Sequence, residues 1–576
     1  MKRIKTLRYL LLAGMLVLTV SVNAIPAKKG IKRTITLADG TKVEAELNGD
    51  EFSSYWQTAD NRCFQLNPEA KVYQKIDKDK VLLEGSIKRS LANQMRSKRL
   101  AAPRKTITGE ATSYKGKKKG LIILVNFKDK SFAFGHNQAY FNKIANGTNF
   151  TNSIGFVGSV KDYFLAQSNG QFELDFDVVG PYTLSKDYAY YGAHSSDGSV
   201  NDVRPGTMVQ EAVALADADV NYTDYNWNDD DEVDQVFVLF AGLGEASGGD
   251  ENTIWPHEWT LESSNVGQRY LTKDGIYVNT YACGPENTLN ELGRTRIDGI
   301  GTICHEFSHC LGYPDMYDTA HGSSYGMGSW DLMCSGNYNG RSFCPPNYSA
   351  YEKWMAGWIT PVVLDKATTV KGLPAQAANY GKAYIIYNSA STDEYYMLEN
   401  RQTSAGIWDS AIPGSGLMIQ HIDYNKDIWS SNHVNAIVNY SKQYGDNYKY
   451  LDNDHQRLTI FHADNTAGSS DESTDLYPNG GNNSLTDTST PNALIYNGGT
   501  LMGKPVTNIT QNADGTISFD FMGGSATNVI DGIAAVRTQP ETANSRIYTL
   551  DGRYAGTDAS ALGHGVYIQK GKKIVK

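Results

Sequence analysis

Six cysteines in 576 residues are too few for a disulfide framework. They are Cys63, Cys283, Cys304, Cys310, Cys334 and Cys344. Cys283 with Cys304 and Cys334 with Cys344 are pairs that the spacing leaves open, although loss of the head would leave an odd number. Long apolar runs are also missing: beyond the N-terminus no stretch approaches the ~18 apolar residues of a membrane span, so no internal span is expected. A net positive balance is missing from most of the chain. The formal net charge is −10, yet residues 1–105 hold 21 Lys and Arg against 10 Asp and Glu. The rest is therefore a strongly acidic body, which argues against a nucleic-acid partner. No repeat with a period of about 20–50 residues is evident, which argues against a solenoid or propeller. What is present is a globular composition, 40% hydrophobic and 11% aromatic, long enough for about three to five domains.

The chain opens like a secretory leader. Lys2, Arg3, Lys5 and Arg8 precede an apolar stretch from Tyr9 to Val22, and Val22-Asn23-Ala24 offers small residues for cleavage. The apolar stretch is short for a membrane anchor, so residues 1–24 are read as a signal peptide. Residues 25–105 then form a separate basic module. Thr34 to Leu37, Asp39-Gly40 and Lys42 to Leu47 read as a hairpin. Further strands are expected at Cys63–Leu66 and Val81–Leu83. Leu91 to Lys105, with Lys98-Arg99 and Arg104-Lys105, reads as an exposed linker open to trypsin-like cleavage. The module is read as a pro-segment; a plain N-terminal β-domain is the alternative.

From about residue 106, strands and helices interleave. Leu121–Val125 and Val236–Phe240 are buried-strand patterns, and Val160–Gln167 is an amphipathic helix pattern. After Pro361 the texture is β, with strands expected at Ala383–Tyr387, Tyr395–Leu398, Gly416–Ile422, Arg457–His462 and Ile517–Phe521. Ala467–Asn492 reads as a long loop.

The segment Ile303-Cys304-His305-Glu306-Phe307-Ser308-His309-Cys310-Leu311-Gly312-Tyr313-Pro314-Asp315 carries the chemistry. On a helix, His305 and His309 share one face, one turn apart, as a zinc ion requires of two imidazoles. Glu306 stands beside them as a general base and proton shuttle. Gly312 can end the helix in a left-handed turn, and Pro314 prevents its continuation. Asp315 can then return as a third ligand. Three ligands leave an open position, the catalytic arrangement of zinc rather than the structural one.

These residues resemble the long zinc signature of metzincin-type metalloproteases, with Asp315 where most have a third histidine. His321 and Asp318 are the substitutes to weigh for that ligand. The fuller string through Met316-Tyr317-Asp318 resembles the immune inhibitor A-like family of secreted bacterial metalloproteases, in which Asp is expected there. Trp330-Asp331-Leu332-Met333-Cys334-Ser335-Gly336 is similar to that family's methionine turn, which implies that Met333 floors the metal. The similarity extends through Gly158–Tyr163, Ile254–His257, Glu399–Gln402 and Gly414–Asp423. A thermolysin-type site needs a following glutamate ligand, and no Glu occurs between His309 and Glu352. Tyr338 is a candidate oxyanion stabiliser.

A second metal candidate is Asn226-Trp227-Asn228-Asp229-Asp230-Asp231-Glu232-Val233-Asp234. Asn226, Asn228, Asp230 and Asp234, with the carbonyl of Glu232, have the spacing of a calcium loop. A solvated acidic turn is the plainer alternative. Cys63, or a carboxylate such as Asp60, is weighed as a pro-segment ligand that keeps the enzyme latent. The tail, with Ile547–Arg553, Gly565–Ile568 and a Lys-rich end, is similar to C-terminal sorting modules of Bacteroidetes-type secreted proteins.

The expected architecture is an α+β metzincin-like zinc protease domain with an N-terminal pro-segment and a C-terminal β-sandwich region. The units are 1–24 leader, 25–105 pro-segment, 106–362 catalytic domain, 363–523 β-rich domain and 524–576 sorting-like module. The expected function is zinc-dependent hydrolysis of protein or peptide substrates by a secreted or cell-surface enzyme. Partners are an intramolecular pro-segment inhibitor and, through the tail, secretion machinery; no membrane span is expected in the mature chain. The competing class is a surface adhesin with a vestigial protease domain. The charge division suggests a basic pro-segment docked on an acidic enzyme and loosened by high salt.

Overall fold

The computed structural model describes residues 25–67, 69–96, 114–195, 201–378, 382–468 and 470–524, and five short strands beyond. The leader and the Lys98–Lys105 part of the linker lie outside the described residues. Residues 25–96 begin with an antiparallel meander of β1 (Lys32–Thr36), β2 (Lys42–Asn48), β3 (Tyr55–Gln57), β4 (Cys63–Asn67) and β5 (Val72–Lys75). The expected hairpin joins β1 to β2, with Thr34 opposite Glu44 and Gly40 at φ +84° in the turn. A helix, α1 (Lys78–Arg96), follows.

The strand expected at Val81–Leu83 is part of α1, so that reading is corrected. Three apolar residues cannot distinguish a strand from a helix. The buried set Leu82, Leu83, Ser86, Arg89 and Ser90 has helical spacing.

The region from residue 114 is built on β6 (Gly116–Asn126), whose successive side chains point to opposite faces. Leu121, Ile123 and Val125 join one core, and Ile122 and Leu124 join another. Both faces are covered, which is why the run is continuously apolar. β7 (Phe172–Thr183) and β8 (Val236–Leu243) flank β6 in parallel. Beyond β8 lie β9 (His257–Thr260), β10 (Thr280–Leu289) and β11 (Thr295–Ile297), giving the order β11-β10-β8-β6-β7 with β9 paired to β10.

One face is covered by α2 (Gln138–Asn146), α3 (Val160–Gln167) and the buried helix that carries the His-Glu-x-x-His sequence. α3 starts on a reciprocal Ser159–Asp162 capping box. The opposite face is covered by α4 (Pro205–Ala216).

The cysteine pairings do not form: no disulfide joins the six cysteines, all of which are buried. Cys283 and Cys304 lie in cores on opposite faces of the sheet, which keeps them apart.

The β-rich half begins with β12 (Val362–Val363) and β13 (Thr368–Leu373). It continues with β14 (Tyr384–Tyr387), β15 (Glu394–Arg401), β16 (Gly416–Asp423), β17 (Leu458–Ile460), β18 (Val506–Gln511) and β19 (Ile517–Phe521). One sheet has the order β12-β14-β15-β16-β17, and a second has β18-β19-β13 with Val529–Asp531 at its edge. Strand alternation again splits the cores. Tyr384, Ile386, Tyr396 and Leu398 pack with Val370 and Phe519 of the second sheet. Ile385, Met397 and Met418 join the core under the histidine helix. One continuous core thus crosses residue 362. Within the tail, Ile547–Thr549, Tyr554–Gly556, Val566–Gln569 and Lys572–Val575 form a separate antiparallel sheet. No described helix is long and apolar enough to cross a membrane.

Candidate active site

Helix α5 spans Gly301–Cys310, and all ten of its residues are buried. Ile303, Cys304 and Phe307 anchor it in the core. It ends where Gly312 takes φ +96° and donates its N–H to the carbonyl of His309 at 2.8 Å. The chain then reverses, as a left-handed C-terminal turn requires.

His305 Nδ1 donates to the carbonyl of Leu332 and His309 Nδ1 to the carbonyl of Tyr313, each at 2.8 Å. A carbonyl only accepts, so these bonds put the proton on Nδ1 and leave a lone pair on each Nε2. The two Nε2 atoms are 3.1 Å apart, and Asp315 Oδ1 lies 3.3 Å from both. Burial raises the Asp315 pKa, but the two histidines outweigh it and hold the carboxyl well below its ordinary range. Burial likewise lowers that of His305. Three lone-pair atoms this close repel one another unless a cation sits among them, so the donor set fits zinc. Among the described residues this is the one cluster of His, Cys, Asp or Glu with converging ligand atoms.

Asp315 is braced from the β-rich half. Asn432 Nδ2 donates to Asp315 Oδ2 at 2.6 Å, and Asn432 Oδ1 accepts from Asp315 N at 2.7 Å. Met333 is fully buried in the core that holds α5. Its N–H is bonded to Asp331 Oδ1, and its carbonyl accepts from Met316 N. Arg401 of β15, itself fully buried, pairs with Asp409 and reaches the carbonyl of Trp330 at 3.4 Å. The methionine segment is thereby tied to the β-rich half.

Neither substitute ligand joins the cluster. Asp318 accepts backbone N–H groups from Ala320, Gly322 and Ser324. His321 Nε2 donates to Asp50 of the N-terminal module at 3.0 Å. Cys63 lies against Tyr55 and Leu82 inside the N-terminal module, and Asp60 is paired with Arg62. The group that reaches the site is another: the N–H of Ile25 donates to Glu306 Oε1 at 3.0 Å. Tyr338 Oη donates to the Pro26 carbonyl at 2.7 Å.

The Asn226–Asp234 segment folds into stacked turns. Asn226 Oδ1, Asn228 Oδ1 and Asp230 Oδ1 each accept the N–H two residues on, and Asp229 is left-handed at φ +60°. Asp234 Oδ2 accepts from Trp227 N, and Glu232 pairs with Arg269 at 2.9 Å. The carboxylates of this loop do not converge as a three-carboxylate cluster.

Residues 109–360 match the model of the immune inhibitor A peptidase M6 catalytic domain. The chain therefore carries a peptidase M6 family domain. It is 26% identical over 246 residues to "Immune inhibitor A" of Bacillus thuringiensis subsp. alesti, covering 38% of this chain and 35% of that protein. It is 29% identical over 230 residues to "Pre-pro-metalloprotease PrtV" of Vibrio cholerae, covering 36% of this chain and 24% of that one. The chain thus spans about a third or less of the relatives it matches. The M6 match contains α5, Asp315 and Met333, but Ile25, Arg401 and Asn432 fall outside it.

Proposed function

We propose that this chain is a zinc-dependent endopeptidase of the M6 type, made with a leader and held latent by residues 25–96. The observation that carries the reading is the convergence of His305 Nε2, His309 Nε2 and Asp315 Oδ1 beside Glu306. A zinc ion held there would supply Lewis acidity, polarising a peptide carbonyl and making water nucleophilic. Glu306 takes the proton of the attacking water and passes it to the departing amine nitrogen. His305 and His309 are kept in the ligating tautomer by Leu332 and Tyr313, and Asp315 is kept in place by Asn432.

The pro-segment supports the latent state by occupying this ground. Ile25 would be the first residue after removal of a leader ending at Ala24, and its nitrogen engages Glu306. Cleavage in the Lys98–Lys105 linker would free the cleft. The tail is proposed to serve secretion to the medium or cell surface. The Asn226–Asp234 turns are proposed as a calcium loop that stiffens the approach to β8.

The test uses the full chain after limited trypsin, with casein as substrate. Glu306→Ala should lower cleavage by at least ~100-fold. A chelator should abolish wild-type cleavage, and Zn²⁺ should restore it. Equal cleavage by wild type and Glu306→Ala would sink the reading and leave the binding-protein class.

A further inference from the structure

Hydrolysis of a peptide bond leaves a new amine on the residue that followed the bond. A general base that hands its proton to that amine must lie within hydrogen-bond reach of it. In this structure the backbone N–H of Ile25 lies within such reach of Glu306, at 3.0 Å. Ile25, Pro26, Ala27 and Lys28 therefore lie along the leaving-amine side of the cleft, in the direction of a substrate.

The enzyme holds this segment mainly by its backbone. Trp255 Nε1 donates to the Ile25 carbonyl at 2.9 Å. Tyr338 Oη donates to the Pro26 carbonyl. Lys28 N donates to the carbonyl of Ala246 at 2.9 Å. Such bonds suit any sequence. The Ile25 side chain is different: it is 1% exposed and belongs to an apolar cluster to which the catalytic region contributes Ala246 and Trp255, with Tyr338 packed against it.

Trp255 is itself aimed from both sides. Asp202 Oδ2 accepts its N–H at 2.9 Å, and His257 Nδ1 donates to its carbonyl at 2.6 Å. Burial pulls the His257 pKa down to about 4, so the ring stays neutral and keeps that bond through the neutral range.

We propose that Trp255 and Tyr338 clamp the substrate backbone on the leaving-amine side, and that the Ala246–Trp255 pocket selects an aliphatic residue immediately after the scissile bond. The proposal rests on the peptidase reading above. It gives Tyr338 a substrate-positioning role in place of oxyanion stabilisation.

The test uses the full chain after limited trypsin and a series of quenched-fluorescent peptides. They differ only in the residue after the cut, which mass spectrometry locates. With Ile, Leu or Val there, kcat/KM should exceed that with Gly or Asp by at least ~30-fold. Trp255→Phe keeps a smaller aromatic ring and loses the N–H, and Tyr338→Phe loses only the hydroxyl. Each should raise KM about tenfold with kcat nearly unchanged, the signature of lost substrate binding rather than lost chemistry.

Equal cutting before Ile, Gly and Asp would overturn the pocket. A fall in kcat for Tyr338→Phe at constant KM would overturn the clamp and return Tyr338 to the oxyanion. The peptide series on wild type decides the pocket even where the Trp255 variant fails to fold. Failure of wild type to cut any peptide better than Glu306→Ala would instead remove the peptidase reading itself, and this one with it.

Discussion

Asp315 Oδ2 accepts a 2.6 Å hydrogen bond from Asn432, and the same amide accepts the Asp315 N–H. The carboxylate is thereby fixed with Oδ1 toward the two imidazoles. Removing such an outer partner typically costs about 10–100-fold in metal affinity. Asn432→Ala should therefore lower zinc affinity in that range, read by competition with a chelator of known affinity, while Glu306 chemistry survives at saturating zinc. An unchanged affinity would show that Asp315 is positioned by its own turn alone. This residue also marks how far the site was legible. His305, Glu306, His309 and Asp315 lie within eleven positions, so local spacing alone assembles them. Asn432 comes from 117 residues away and Ile25 from 281 before Glu306, and neither carries a local signal. Arg401 lay in a segment similar to the family, yet only the packing of β15 against the Trp330 carbonyl gives it a task.

At the scale of elements, strands with long apolar runs were readable because alternation and flanking turns point the same way, as in β6, β8 and β16. Helix α1 was not, because its buried face is built from Ser86, Arg89 and Ser90 as much as from leucines. That face has a reason. Arg89 is fully buried, lies over the Phe52 ring and pairs with Asp50, which also accepts from Tyr317 and His321 of the catalytic region. Ser86 meets Tyr440 at 3.0 Å, so the helix also touches the β-rich half. Breaking a buried pair from one side leaves a bare charge and costs about 3–5 kcal/mol. Arg89→Ala should loosen the whole pro-segment and give casein cleavage by the uncut chain, where the wild type gives little. Retained latency in a folded Arg89→Ala protein would mean that the Ile25–Lys28 segment suffices by itself.

Across the molecule, the uneven charge suggested that a basic head is held to an acidic body by net charge. The contact is arranged otherwise. Arg33 pairs with Glu251 at its partly exposed edge, but its centre buries two head carboxylates, Asp50 and Glu51, and pairs Asp50 with the head's own Arg89. Salt screens exposed pairs and hardly reaches buried ones, so 1 M NaCl should release little of the trypsin-cut pro-segment. Proton linkage should act more strongly. Burial raises the Asp50 pKa, but Arg89 and then His321 outweigh it and hold it down to about 2. Its contribution to docking is therefore complete above the ordinary value of 3.8 and is lost only as pH falls toward 2. Glu51 has the opposite sign: burial first, then Asp50, push its carboxyl well above 4.5. Its contribution is complete below 4.5 and is lost as pH rises through the raised value. Between pH 5 and pH 8 Asp50 does not change, and Glu51 is the carboxyl of this pair whose load on docking changes. After trypsin, more pro-segment should separate from the enzyme on size exclusion at pH 8 than at pH 5, and Glu51→Gln should flatten that difference by holding the pro-segment at both. If the wild type released equally at the two pH values, the buried Glu51 would not be a loaded group at this interface, and docking would rest on the Ile25 and Arg89 contacts alone.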